Sequence, residues 1–197
     1  VNSFEALEKI KRNVRGKIVL YNVPFTNYSE TVRYRYDGPN IAAKYGAIAS
    51  LIRSVGNGSM DTPHTGTMGE YKSYKKIPHA AITAEDAMMI DRIYKRGQRV
   101  VLNLKMEAKF VEDRWSRNVL AELRGSTHPE EVVVLGGHID SWDVGQGAHD
   151  DAGGCMAAWR AVTLIKELGL RPRRTLRVVL WTNEENGSRG SKNYRNE

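Results

Sequence analysis

Apolar residues along the first hundred positions come in short runs set between polar breaks. Residues 3 to 12 have the spacing of a short helix, and Gly16 separates them from the strand-like run Lys17 to Val23. Pro39 suits the first turn of a helix through Ala42, Ala43 and Tyr45, which Gly46 stops. Ala47 to Arg53 reads as a second apolar strand. Residues 54 to 76 are rich in Gly, Ser, Thr and His without periodicity and predict a long loop. An apolar restart follows at 77 to 82, and Thr83-Ala-Glu-Asp86 has the form of a capping box opening a helix that Gly97 ends. Residues 98 to 110 alternate as a strand would, with Val100, Leu102 and Leu104 on one face.

The polar stretch 112–117 is a hinge, and beyond it strand and helix alternate regularly. Asn118 to Leu123 and Glu131 to Leu135 read as strands, the second closed by Gly136-Gly137. A helix over 152–168 has its apolar stripe at Cys155, Ala158, Val162, Ile165 and Leu168, and Gly169 and Pro172 end it. Arg174 to Trp181 is a further strand. Near-continuous apolar strands joined by an amphipathic helix predict an α/β sheet covered on both faces, parallel where the helix crosses over. No internal repeat is evident.

Composition narrows the partners. Of 197 residues, 41% are hydrophobic and 27% charged, which is ordinary for a globular chain and argues against wholesale disorder. No run approaches the roughly 18 apolar residues of a membrane span. The chain starts at Val1 without the basic and apolar segments of a signal peptide, so it is expected to be an internal piece of a longer protein. The net charge of +7 includes clusters at Lys72/Lys75/Lys76, Arg92/Lys95/Arg96/Arg99 and Arg171/Arg173/Arg174. Acidic residues are interleaved and no nucleic-acid motif accompanies them, so these clusters read as solvated surface and no nucleic-acid partner is expected. Cys155 is the single cysteine, which rules out an intrachain disulfide, and on the helix stripe it reads as a buried, inert thiol. Sequons at Asn27, Asn57 and Asn186 support a secretory route only weakly.

The chemistry is concentrated after residue 137. His138 and Asp140 follow an apolar strand, and carboxyl ends of strands are where open α/β sheets place their ligands. His138 offers an imidazole to a metal, and Asp140 could hydrogen-bond its other ring nitrogen and fix the tautomer. Asp150-Asp151 precedes a helix among glycines 145, 147, 153 and 154. A carboxylate there could bridge two cations or simply cap the helix. Two acidic residues at a helix entry would repel an anion, so a phosphate loop is not expected. Glu184-Glu185 follows the strand ending at Trp181. Neighbours on extended backbone point in opposite directions, so one could bind metal while the other serves as general base. Each cluster alone has an ordinary explanation as polar loop, cap or surface pair. Their coincidence at two strand ends and one helix start makes an oxygen- and nitrogen-rich zinc pocket.

Gly-Gly-His138-Ile-Asp140-Ser-Trp-Asp-Val-Gly-Gln-Gly-Ala-His149-Asp150-Asp-Ala-Gly-Gly, followed by Trp181-Thr-Asn-Glu184-Glu185, resembles the co-catalytic two-zinc aminopeptidases and carboxypeptidases. The likeness extends upstream through residues 41 to 55, Pro63-His-Thr-Gly66 and Lys76-Ile-Pro-His79. The resemblance implies an α/β fold in which a mixed sheet flanked by helices, incomplete here, carries an inserted, strand-rich protease-associated domain. Residues 1–111 would be that insert, and 112–197 the first part of the peptidase domain. It implies His138 as ligand of one zinc, Asp150 as bridging carboxylate and Glu185 as ligand of the other. Asp140 would support His138, and Glu184 would be the general base. Two zincs about 4 Å apart would activate a water for hydrolysis of dipeptides or short peptides. The resemblance also suggests a homodimer, a secreted or lysosomal location, and further Asp and His ligands downstream of Glu197. On that basis the chain alone is expected to lack appreciable activity. A non-catalytic binding homologue is the alternative, and retention of every metal-site residue of this portion argues against it. His149 stands where an apolar residue is expected, and Asn183 and Asn186 stand where Ala and Gln are. His149 is expected to face away from the site.

Overall fold

The computed structural model describes residues 1–58, 61–70, 74–109 and 111–196. Ser59 of the second sequon, Lys72 of the first basic cluster and Phe110 lie outside them. The chain divides into two compact units, Val1–Phe110 and Val111–Glu197.

The first unit opens with helix α1 (Phe4–Lys9), which Ser3 caps by accepting a hydrogen bond from the Ala6 amide at 3.0 Å. The helical periodicity through residue 12 continues as a 3-10 turn, Lys11–Asn13. Strands β1 (Ile18–Tyr21), β2 (Ala49–Arg53) and β3 (His79–Ile82) form a parallel sheet in the order β1-β2-β3. Ile18 pairs with Ala49, and Ser50 with His79. Parallel neighbours require a crossover. The first crossover contains α2 (Tyr28–Thr31), α3 (Arg33–Tyr36) and α4 (Gly38–Lys44), with Pro39 in the first turn of α4 as expected. α2 and α3 are single turns, too short to leave a periodic signature. Arg35 of α3 is nevertheless buried, donating to the Thr67 carbonyl at 3.2 Å and the Tyr28 hydroxyl at 3.0 Å.

Tyr21 anchors this core. Its ring is fully buried, and its hydroxyl donates to the Gly38 carbonyl at 2.8 Å. A Cβ at residue 38 would lie 2.9 Å from that ring, so glycine is what lets α4 approach β1. Leu7, Val14, Ala42, Ile52 and Ile77 pack around it. Helix α5 (Ala84–Lys95) starts as its sequence predicts, with the Thr83 side chain accepting from the Asp86 amide at 3.0 Å.

The stretch from 98 onward departs from expectation. Val100, Leu102 and Leu104 are half-buried between exposed neighbours, yet residues 98–109 form no strand. Alternation marks a side that packs. A strand also needs a neighbouring backbone to bond to, and none pairs here among the described residues.

The second unit contains β4 (Val119–Leu123), β5 (His128–His138), helix α6 (Ala152–Glu167), β6 (Arg174–Trp181) and helix α7 (Arg189–Asn196). Its sheet runs in the order β4-β6-β5, with β4 antiparallel and β5 parallel to β6. The β5-α6-β6 connection is the crossover predicted from sequence. Ala158 and Val162 of α6 pack on Val178, with Leu123, Leu135, Leu176 and Leu180 around them. On β5, Val132, Val133 and Val134 are exposed.

β5 also reaches further than its apolar run suggested. Gly136 and Gly137 pair with Val179 and Leu180, so they continue the strand instead of closing it, and His138 is its last residue, opposite Trp181. A Cβ at Gly136 would collide with the Val179 carbonyl, which explains a glycine inside a strand. The register brings both chemistry-bearing loops out at the same end of the sheet.

Candidate metal centre

The centre is assembled at the carboxyl ends of β5 and β6 and the start of α6. His138 supplies the one imidazole, with its side chain 11% exposed. Its Nδ1 lies 2.8 Å from the main-chain carbonyl of Asp140. An Nδ1–H donated to that carbonyl leaves the Nε2 lone pair facing the carboxylates. Nε2 is 2.9 Å from Asp150 Oδ1 and 3.8 Å from Glu184 Oε2.

Asp140 does more than expected of it. Its carboxylate lies 3.4 Å from His138 Nδ1. The same carboxylate accepts the Glu184 amide at 2.9 Å and the Glu185 amide at 3.2 Å. The ring is therefore oriented by Asp140's backbone, while its side chain ties the glutamate loop to the His138 loop. A backbone carbonyl leaves no trace in a motif, so that part of the role was not legible.

Asp150 and Asp151 separate. The peptide bond between them is cis. Asp150 projects into solvent-accessible space toward His138, whereas Asp151 caps α6 by accepting from the Gly154 amide at 3.0 Å. Of the two readings of the acidic pair, the cap is made by Asp151, which leaves the Asp150 carboxylate beside His138. Ser188 donates to Glu184 at 3.3 Å.

Among the described residues, donor atoms of His138, Asp150 and Glu185 all fall within 4.8 Å of one another. His149 is exposed and outside this group. Asn183 has a buried side-chain oxygen without a partner and a positive φ of 56°, while Asn186 is exposed. A second group, His128, Glu130 and Glu131 at the start of β5, is engaged by arginines: Arg174 pairs with Glu131, and Arg173 lies beside His128.

The electrostatics fit a cation. No Lys or Arg among the described residues forms an ion pair with Asp140, Asp150, Glu184 or Glu185. Burial, and then the charge of Asp150, push the Glu185 carboxyl above its usual range, with Glu184 and Asp140 adding to the effect and His138 opposing it. For His138 burial acts to lower the pKa. The Asp140 carbonyl and the Asp150, Glu184 and Asp140 carboxylates outweigh it, and the ring is raised. Carboxylates gathered around one imidazole, with no Lys or Arg paired to them among the described residues, are donors of the type a divalent ion takes.

Residues 118–197 match Peptidase family M28. Along nearly its whole length the chain is homologous to carboxypeptidase Q: it is 55% identical to the protein of Bos taurus over 194 residues, which cover 98% of this chain and 41% of the relative. Among solved structures, a Peptidase M28 precursor from Shewanella amazonensis superposes with a TM-score of 0.93 at 34% identity, covering 100% of this chain and 46% of that one. A zinc aminopeptidase from Bacillus subtilis shares the fold, with a TM-score of 0.58 at 17% identity over 96% of this chain and 42% of its own. The chain therefore spans less than half the length of these relatives.

Proposed function

We propose that this chain supplies the first part of a zinc-dependent exopeptidase site that hydrolyses dipeptides or short peptides. The observation that carries this reading is the convergence of donor atoms of His138, Asp150 and Glu185 within 4.8 Å at one end of the sheet. The names of the M28 relatives support the same class.

His138, Asp150 and Glu185 would hold the metal, with Asp150 as the shared carboxylate if the complete site takes a second ion. Bound there, zinc supplies Lewis acidity that activates water and polarises a carbonyl. Glu184, half-exposed beside His138, accepts the proton of the attacking water and returns it to the leaving amine. Asp140 holds Glu184 and Glu185 by their amides, so that base and ligand keep a fixed offset from the imidazole. Three protein donors suit one ion, and a pair of ions needs more. The chain by itself accordingly takes up one zinc and has no appreciable dipeptidase activity. The first unit is the protease-associated domain of the parent, which we place in the secretory pathway as a homodimer.

Calorimetric titration with zinc tests the assignment. A single site abolished by His138→Ala is the expected result. Equal zinc uptake by the unsubstituted chain and the His138→Ala variant would remove the basis for the proposal.

A further inference from the structure

We propose that Asp151 is a positioning residue for the metal centre: its carboxylate clamps β5 to α6 and thereby fixes the His138 imidazole against Asp150. The consequence at the metal rests on the function proposed above, whereas the clamp itself does not.

The two oxygens of this carboxylate do different work. Oδ1 accepts the Gly154 amide at 3.0 Å, which is the helix cap. Oδ2 accepts the His138 amide at 3.1 Å, reaching across to the last residue of β5. A cap alone needs one oxygen, and serine or threonine would serve. The second acceptor is what a carboxylate adds. The His138 carbonyl is held from the same turn, since Cys155 Sγ donates to it at 3.1 Å. Both polar groups of the His138 main chain are thus bound to the start of α6, by Asp151, which directly follows Asp150, and by Cys155.

The glycines around the clamp support this. A Cβ at Gly154 would run into the Asp151 carboxyl group, and its three nearest neighbours would all be Asp151 side-chain atoms. A Cβ at Gly137 would collide with Asp151 Oδ2 and lie 2.9 Å from the Cys155 amide. Gly154 sits within the first turn of α6, where alanine is the better helix former. Its side chain is excluded by the space Asp151 occupies. Neither glycine has a positive φ, so conformation alone does not require them.

Asp151→Ser separates capping from clamping, because it keeps a capping oxygen and removes the reach to His138. In the metal-free chain, hydrogen exchange at the His138 amide is expected to rise about tenfold or more in this variant, while α6 amides beyond the first turn stay protected. Cobalt(II), used as a spectroscopic probe of the site, should bind about 10- to 100-fold more weakly. Asp151→Asn, which retains one acceptor, should lose less on both counts. A cycle with Gly154→Ala needs no metal. Alone, that change should lower the melting temperature; in an Asp151→Ala background it should raise it by about 4 °C. Unchanged exchange at His138, absence of coupling in the cycle, or unchanged cobalt affinity in a chain that binds cobalt would each overturn the proposal. If the unsubstituted chain takes up no cobalt, the metal reading fails, and the exchange and melting measurements still decide the clamp.

Discussion

Two histidines, one in each unit, show how differently the two halves of the chain use a strand terminus. His79 begins β3, almost fully buried, with Nδ1 2.8 Å from the Ser50 hydroxyl and Nε2 without a partner. Burial pulls its pKa down to about 4, with the Arg35 charge adding to the effect and hydrogen bonding to Ser50 and to the Arg35 backbone opposing it. His138 ends β5 among carboxylates, and its pKa is raised. The first histidine is kept neutral inside a core, as a packing element. The second faces accumulated negative charge, as a ligand would. Residue type and strand context are similar, and the neighbours decide the chemistry.

Substitution tests that contrast most strongly at His138. His138→Ala should weaken zinc binding by more than about 100-fold, since it removes the sole imidazole of the set. His79→Ala should leave zinc affinity within about twofold, because the loss there is of packing. Isothermal titration of both variants checks the pair.

Acid comes next. The neutral form of His79 is favoured by the fold, so the unfolded chain binds its proton first. Stability from this group is complete above about pH 6.5 and falls progressively toward pH 4, by about 3 kcal/mol in all. Hydrogen exchange of β2 amides as a function of pH should show that slope, and His79→Asn should flatten it. An unchanged slope in the variant would mean that the acid sensitivity lies elsewhere.

Asp140→Ala should lower zinc affinity by about 10- to 100-fold while leaving the first unit intact, because it frees the glutamate loop. The backbone carbonyl that orients His138 survives this change, so the loss should be smaller than for His138→Ala. Thr83→Ala provides the small end of the scale. It should cost about 1 kcal/mol through the lost cap of α5 and leave metal binding untouched, as thermal melting and titration together would report.

The contrast also separates what could be read in the sequence from what could not. The Thr83 cap, the α4 start at Pro39 and the β5-α6-β6 crossover are local patterns, and each stands where its residues indicate. The residues brought together at the strand ends were all legible as types. The division of labour among them was not. That the Asp140 backbone orients His138 while its side chain holds the glutamate loop depends on distances across 44 and 45 positions of sequence. The separation of Asp150 from Asp151 depends on which one points back to the strand. Residues 98–109 illustrate the opposite limit: their period-two pattern is real in burial, yet a strand is a relation between two segments. α2, α3 and α7 escaped because two are single turns and the third, Arg189–Asn196, has no apolar stripe.

Zinc K-edge absorption on the zinc-loaded chain tests most directly whether the residues at the end of this sheet form a metal site. One imidazole nitrogen and carboxylate oxygens at about 2.0–2.2 Å are expected, with the nitrogen contribution lost in His138→Ala. A sulfur ligand, or an unaltered zinc environment in that variant, would contradict the account.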